Sequence, residues 1–300
     1  MDDRPSPTSD AAERTAGETL WGVTRECLGE ARASISEPQR SDAEAVHDFR
    51  RAMKRWRALL RLLGPFAGQE ARHLRDEARD LAQALAGARD GQSALDALAD
   101  LEKHGLALSA ASLAHLRRRI TELRSAAETT LNAEMRLRLL AALDGAESAL
   151  ASWPLATISF EAIAGELARG YRAARRLLPA NWQAAAAEEL HELRKRVVIH
   201  RYQIEIVAPV WPRFVKMWTG EAQRLRDRLG KHQDLLVLAN LIGPHQPLAR
   251  WRSRLTAPIA ERKAAHVAAA ERVAARLFID KPKTVERRLV EMWKLGALSE

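Results

Sequence analysis

The sequence predicts an all-α fold, and three observations carry that prediction. Apolar residues recur at helical spacing through most of the 300 residues. No stretch alternates apolar and polar residues long enough to form a strand. With 47% hydrophobic residues, 15 Gly and 12 Pro, the chain has the composition of a packed helical protein rather than an all-β or disordered one. Its length suits one large helical domain or two smaller ones.

The elements follow in order. Residues 1–12 read as a disordered tail, acidic and Pro/Ser-rich where a signal peptide would be basic. A helix from about Ala12 to Ala33 ends at a Ser-rich stretch and Pro38. Ser41 and Glu44 make a capping box for the second helix, which is expected to stop at Gly64–Pro65 because proline cannot continue it. A third helix spans about 67–86 and closes near Gly87; Asp90 is placed to cap a fourth, which Gly105 stops. Helices near 109–131 and 133–152 follow, ending at Trp153–Pro154. The pattern then restarts with a helix near 159–178. Asn181 is placed to cap the next, which Pro209 and Pro212 break. Helices near 213–230, 234–242, 247–278 and 283–295 complete the chain.

One stretch occurs twice. Residues 46–63, VHDFRRAMKRWRALLRLL, are echoed 144 positions later by LHELRKRVVIHRYQIEIV at 190–207. The register holds well beyond these segments: Arg25 meets Arg169, Arg32 meets Arg176, Pro65 meets Pro209, Leu85 meets Leu229 and Asp90 meets Asp234. So long an ungapped run predicts an internal duplication with a boundary near Pro154. The expected domains are the tail at 1–12, a first helical half at 13–154 and a second at 155–300. The two halves would be antiparallel bundles related by a pseudo-twofold axis around a shared basic cavity.

On a helix with about 100° per residue, the first copy divides into two faces. His47, Arg50, Arg51, Lys54 and Arg61 share one; Phe49, Met53, Trp56, Leu59, Leu60 and Leu63 share the other. Such a helix buries its apolar stripe and presents a cationic ridge. A lone basic helix is most simply a solvated face, but here His and Arg recur together opposite an apolar stripe. The second copy is not identical. Lys54, Arg55 and Trp56 are answered by Val198, Ile199 and His200, so the first half supplies more charge. The next helix adds Arg72, Arg75 and Arg79 on one face, with Lys216 at the Arg72 position and Arg224 placed differently. Asp76 and Asp80 leave surface i,i+4 ion pairs open as the alternative for that set. Arg25 and Arg32, and likewise Arg169 and Arg176, lie seven apart on single helix faces. Arg117–Arg119, Arg262 and Lys263 are weaker candidates, because long polar helices carry such residues routinely.

Other chemistries find little support. His47–Asp48 suggests a metal-phosphohydrolase pair, but its echo is His191–Glu192 and no further His-Asp pair follows. Phosphate-cradling loops, nucleophile elbows and paired catalytic carboxylates are missing from the sequence. The one cysteine, Cys27, excludes a disulfide framework. A net charge of +9 favours anionic partners. With two Tyr and five Phe in the chain and Trp56 on the apolar face, the ridge offers charge without platforms for stacking bases.

In the duplicated His-x-x-Arg helices, and in the segments ARDLAQALAGARD and AQRLRDRLGKHQD that each close on Asp, the sequence resembles the CHAD family, the conserved histidine α-helical domain. The likeness runs from about residue 17 onward. It implies two pseudo-symmetric helical bundles around a basic cavity, binding of inorganic polyphosphate and association with polyphosphate granules. The Glu-x-Glu-x-Lys signature of the CYTH triphosphatase module, fused to some members, is not in the sequence, so the chain resembles a stand-alone member. Carried over by position, the implied contacts are His47, Arg50, Arg51, Lys54 and Arg57 in the first half and His191, Arg194, Lys195 and Arg201 in the second. The expectation is a cytoplasmic polyphosphate binder without cofactor, metal, catalytic residues or membrane span. Phosphate, sulfate and nucleic acid would compete for its cavity. A nucleic-acid-binding helical protein and a phosphohydrolase acting on polyphosphate are the rival readings.

Overall fold

The computed structural model describes residues 15–37, 39–85, 89–125, 131–209 and 211–296. The expected tail, the stop at Pro38 and the close at Gly87 lie outside these residues. Among the described residues the regular structure is entirely helical: α1 (Ala16–Ser36), α2 (Asp42–Ala84), α3 (Arg89–Lys103), α4 (Ala110–Ser125), α5 (Ala133–Ser152), α6 (Phe160–Arg175), α7 (Ala187–Ile204), α8 (Pro212–Leu241), α9 (Arg252–Leu277) and α10 (Pro282–Gly296), with short 3-10 turns at 155–157, 205–207 and 249–251.

Local chemistry explains most boundaries. Ser41 accepts from the Glu44 backbone N–H while the Glu44 carboxylate accepts from the Ser41 N–H, the reciprocal box expected at the start of α2. Asn132 and Ser159 cap α5 and α6 in the same manner with single side-chain acceptors. Four boundaries differ from expectation. Helix α2 does not stop at Gly64–Pro65; Pro65 lies inside it, and the break comes at Gly68, whose φ of 64° suits glycine alone. Residues 42–67 and 69–84 are therefore two helices joined at a kink. Asp90 lies within the first turn of α3 instead of capping it. Asn181 accepts from the Ala184 N–H, whereas α7 begins only at Ala187, where Glu189 accepts from the Ala186 N–H. The expected break between 230 and 234 is missing, so Asp234 sits in mid-helix on a continuous α8.

Two apolar cores hold these helices. The larger joins α1, α2, α5, α6, α7 and α10 to the first part of α8 and the last part of α9, around Phe49, Trp56 and Tyr171. The smaller joins α3 and α4 to Leu235, Leu238 and the segment 242–259, around Trp251. Each core draws residues from both sides of position 154, so neither half of the sequence buries its apolar surface by itself. The crossing points are close. Gly17 of α1 lies where a Cβ would come 2.0 Å from the Leu155 carbonyl oxygen, so no other residue fits. Buried Gln203 of α7 donates to the Ala58 carbonyl of α2 at 3.0 Å. That bond ties the two echoed helices together near their C-terminal ends.

Candidate functional site

Helix α2 carries its basic residues into two opposite settings. Arg55, with a side chain only 15% exposed, reaches Glu26 and Glu30 on α1, each at 3.1 Å, and Glu205 after α7 at 3.5 Å. Burial works against its charge, but Cys27, then Glu30, Glu205 and Glu26, outweigh burial and raise its pKa. This arginine is neutralised and structural. Beside it, Cys27 is buried with its thiol pushed up to about 12 by burial, its Sγ donating to the Ala52 carbonyl.

Two residues further, Arg57 meets the reverse. Its pKa is lowered by burial and then by Arg79 and Arg75. Arg61, one turn on, is lowered by burial, then by Arg196 of α7, Arg75 and Arg57. Arg57 and Arg61 thus feel the repulsion of each other and of Arg75, Arg79 and Arg196, from the second arm of α2 and from α7. Asp76 is the main counter-charge, 3.9 Å from Arg75 and 3.3 Å from Arg79, and Asp80 lies 3.0 Å from Arg79. The Nε of Arg57 is buried and has no hydrogen-bond partner among the described residues. A buried donor without an acceptor costs about 1–3 kcal/mol. An anion with several oxygens is the chemical species that would relieve both the repulsion and the orphaned donor.

The rest of the ridge has mixed placements. Arg50 is half-buried and donates to the Leu85 carbonyl at 3.0 Å. Arg194 lies over Gly230, where a Cβ would come 3.4 Å from its Nε and Nη2. Since Leu229 is the echo of Leu85, both arginines reach the same turn of the following helix in their respective halves. His191 is half-buried; burial, then Lys195, holds its pKa below the usual histidine range, and its Nδ1 has no hydrogen-bond partner among the described residues. His47, Lys54, Arg72 and Lys216 are exposed. Arg51 pairs loosely with Asp48 at 3.5 Å, and Lys195 pairs with Glu192.

Several candidates are occupied by carboxylates or rings. Arg32 bridges Asp144 and Glu147 of α5, Arg169 pairs with Glu166 at 2.8 Å, and Arg224 pairs with Glu221. Arg25 stacks on Trp21 at 4.5 Å. Arg201 stacks on Tyr202 at 4.5 Å and lies 3.9 Å from Glu205. Arg176 is exposed at the end of α6. Arg262 joins Lys231 and His266 around the buried carboxylate of Asp100, at 3.0, 3.2 and 2.8 Å, an ion network that clamps α3 to α8 and α9. The hydrogen bond to His266, then those to Lys231 and Arg262, depress the Asp100 pKa despite its burial.

Sequence reasoning left Arg61 and Arg196 out of the candidate set. Arg61 is visible on the ridge face, but its echo is Glu205. Arg196 lies about 140° from His191 around α7 and echoes Ala52. No sequence signal marked it; only the packing of α7 against α2 brings it to Arg61. Among the described residues, no group of three His, Cys, Asp or Glu side chains is placed to hold a metal ion. No helix among them is long and apolar enough to cross a membrane.

Comparison with known proteins gives the family and the fold. The CHAD domain family matches residues 22–243, and the chain belongs to that family. The crystal structure of the CHAD domain from the plant Ricinus communis superposes with a TM-score of 0.55 at 18% identity, covering 100% of this chain and 97% of the other. That likeness establishes a shared fold. No curated protein matches the sequence.

Proposed function

We propose that this protein binds inorganic polyphosphate, with Arg57, Arg61, Arg75, Arg79 and Arg196 as the centre of the site and the His47–Arg50–Lys54 and His191–Arg194–Lys195 ridges as its flanks. The carrying observation is the half-buried pair Arg57 and Arg61, set against the guanidinium groups of Arg75, Arg79 and Arg196, with the Nε of Arg57 orphaned among the described residues. Membership of the CHAD family supports the choice of anion. Polyphosphate is a flexible strand of about one negative charge per phosphate, and arginines can bridge two of its oxygens at once. The half-buried setting strengthens each contact relative to open water.

The shared placement of Arg50 and Arg194 on equivalent turns supports two related halves contributing to one basic cavity. On this reading the protein holds polyphosphate without turning it over, and the binding is what would bring it to polyphosphate granules. The deciding experiment is competition at a single salt concentration, because both kinds of ligand compete with counterions. Fluorescent polyphosphate bound to the full chain is challenged with unlabelled polyphosphate, single-stranded RNA and duplex DNA of equal total charge. Displacement by polyphosphate at least tenfold more effective than by either nucleic acid is expected. Equal displacement overturns the assignment, and phosphate release during incubation with a divalent cation would replace binding with hydrolysis.

A further inference from the structure

A second basic cluster lies on α4 and the 249–254 segment, packed over the smaller core. Arg250 and Arg254 hold their guanidinium groups against the Trp251 indole, 4.9 and 6.0 Å from its centroid. His115 of α4 lies 6.1 Å from the same ring, and its Nδ1 is 3.2 Å from Nη2 of Arg118. Arg119 stands one residue on and pairs with Glu122. Partial burial, then Arg250, Arg118 and Arg119, holds the His115 pKa below its ordinary value, so these charges act on one small region.

The simplest alternative is an ordinary solvated face. On this same helix Arg117 reaches Glu102 and Arg119 reaches Glu122, which is how surface arginines are usually satisfied. Arg118, Arg250 and Arg254 differ in having no carboxylate partner among the described residues. Stacking on an indole occupies the flat face of a guanidinium and leaves its in-plane N–H donors available. Trp251 itself is only 4% exposed, so its ring is not open to a nucleobase. The features select for an anion presenting oxygens and nothing to stack.

We propose that this α4/α9 surface is a second phosphate-binding patch that takes part of the same polyphosphate strand as the central arginine cluster. The proposal rests on the polyphosphate reading above for its ligand. Two contacts on one flexible chain raise the effective concentration of the second, so the patch discriminates long strands from short ones without altering the central site.

The test uses the full chain labelled with 5-fluorotryptophan, with the Trp251 resonance assigned by Trp251→Phe. Titration with tripolyphosphate at constant ionic strength is expected to shift that resonance saturably. The shift disappears in Arg118→Gln/Arg250→Gln/Arg254→Gln and persists in Arg57→Gln/Arg61→Gln/Arg75→Gln. In the patch variant, affinity for long polyphosphate falls about fivefold, and the slope of log K against log salt shrinks by about 2, at roughly 0.7 per neutralised phosphate. A silent Trp251 resonance in the unaltered protein overturns the patch whatever the central cluster does. So does a shift that survives the patch substitutions, one abolished by the central ones, or a stronger response to RNA of equal charge. Unchanged polyphosphate affinity in the central variant would instead overturn the assignment of the central site.

Discussion

Arg57, Arg61, Arg75 and Arg79 occupy positions whose echoes 144 residues later are Arg201, Glu205, Thr219 and Gln223. In the first half four guanidinium groups crowd together with half-buried Asp76 and exposed Asp80 for relief. In the second a single arginine remains, laid on Tyr202 and facing Glu205. Glu205 then reaches across to Arg55 of the first half. The first-half positions hold an excess of positive charge over nearby carboxylates, whereas Glu205 among their counterparts joins the two halves. The comparison teaches that positive charge alone does not mark a binding residue; the counter-charge around it does.

The largest effect expected from this asymmetry lies on the first-half side. Arg57→Gln/Arg61→Gln/Arg75→Gln should weaken polyphosphate binding by 100-fold or more, about 2.8 kcal/mol at 1.4 kcal/mol per decade. The melting temperature should hold or rise, because the substitutions remove repulsion. Isothermal titration and thermal melting of the same preparations check both halves of the statement. A matched fall in melting temperature would return these arginines to a structural role. Arg201→Gln, the second-half counterpart, should cost less than fivefold in affinity.

A second contrast concerns stability. Trp56 is answered by His200 at the echoed position, and both are buried. Trp218 donates its Nε1–H to His200 Nε2 at 2.9 Å, which fixes a neutral imidazole protonated on Nδ1. Burial depresses the His200 pKa to about 4, and burial with Lys263 and His266 nearby does the same for His232. The sign follows directly. A histidine whose folded pKa lies below its unfolded value, near 6.5, binds its proton more readily when unfolded, so stability is lost as pH falls from about 6.5 toward 4. At 1.36 kcal/mol per unit, each histidine removes about 2 kcal/mol by pH 5. Denaturant unfolding at pH 7 and pH 5 measures the loss, and His200→Phe should recover roughly half of it. An unfolding free energy that is flat across this range would contradict the burial argument.

How much of this was legible in the sequence depends on what each feature rests on. Helical periodicity and the Ser41–Glu44 box are local, and local chemistry fixes them. The α2 break was misplaced by three residues because Pro65 is the stronger stop signal, whereas the backbone turns at the residue able to adopt positive φ, Gly68. The ridge was legible because it follows one helix face. The division of its arginines into satisfied and unsatisfied was not, since Glu26, Glu30 and Glu205 reach Arg55 from distant positions. Arg196 was invisible for the same reason. It belongs to the site through tertiary packing, and both periodicity and the echo pointed away from it.

The smallest expected effect concerns the histidines of the ridges. His191 is held below the ordinary range by burial and by Lys195, so at neutral pH it is uncharged in the free protein. A polyanion placed beside it favours the protonated form and raises its pKa, and linkage then requires binding to tighten as pH falls. Because burial and Lys195 oppose that protonation, the gain is modest, about threefold in affinity between pH 8 and pH 6. His47→Gln/His191→Gln should flatten the profile while leaving the affinity at pH 8 within twofold of the unaltered protein. A profile equally steep in both proteins would assign the proton uptake elsewhere. A large loss already at pH 8 would make the imidazoles direct hydrogen-bond donors rather than conditional charges.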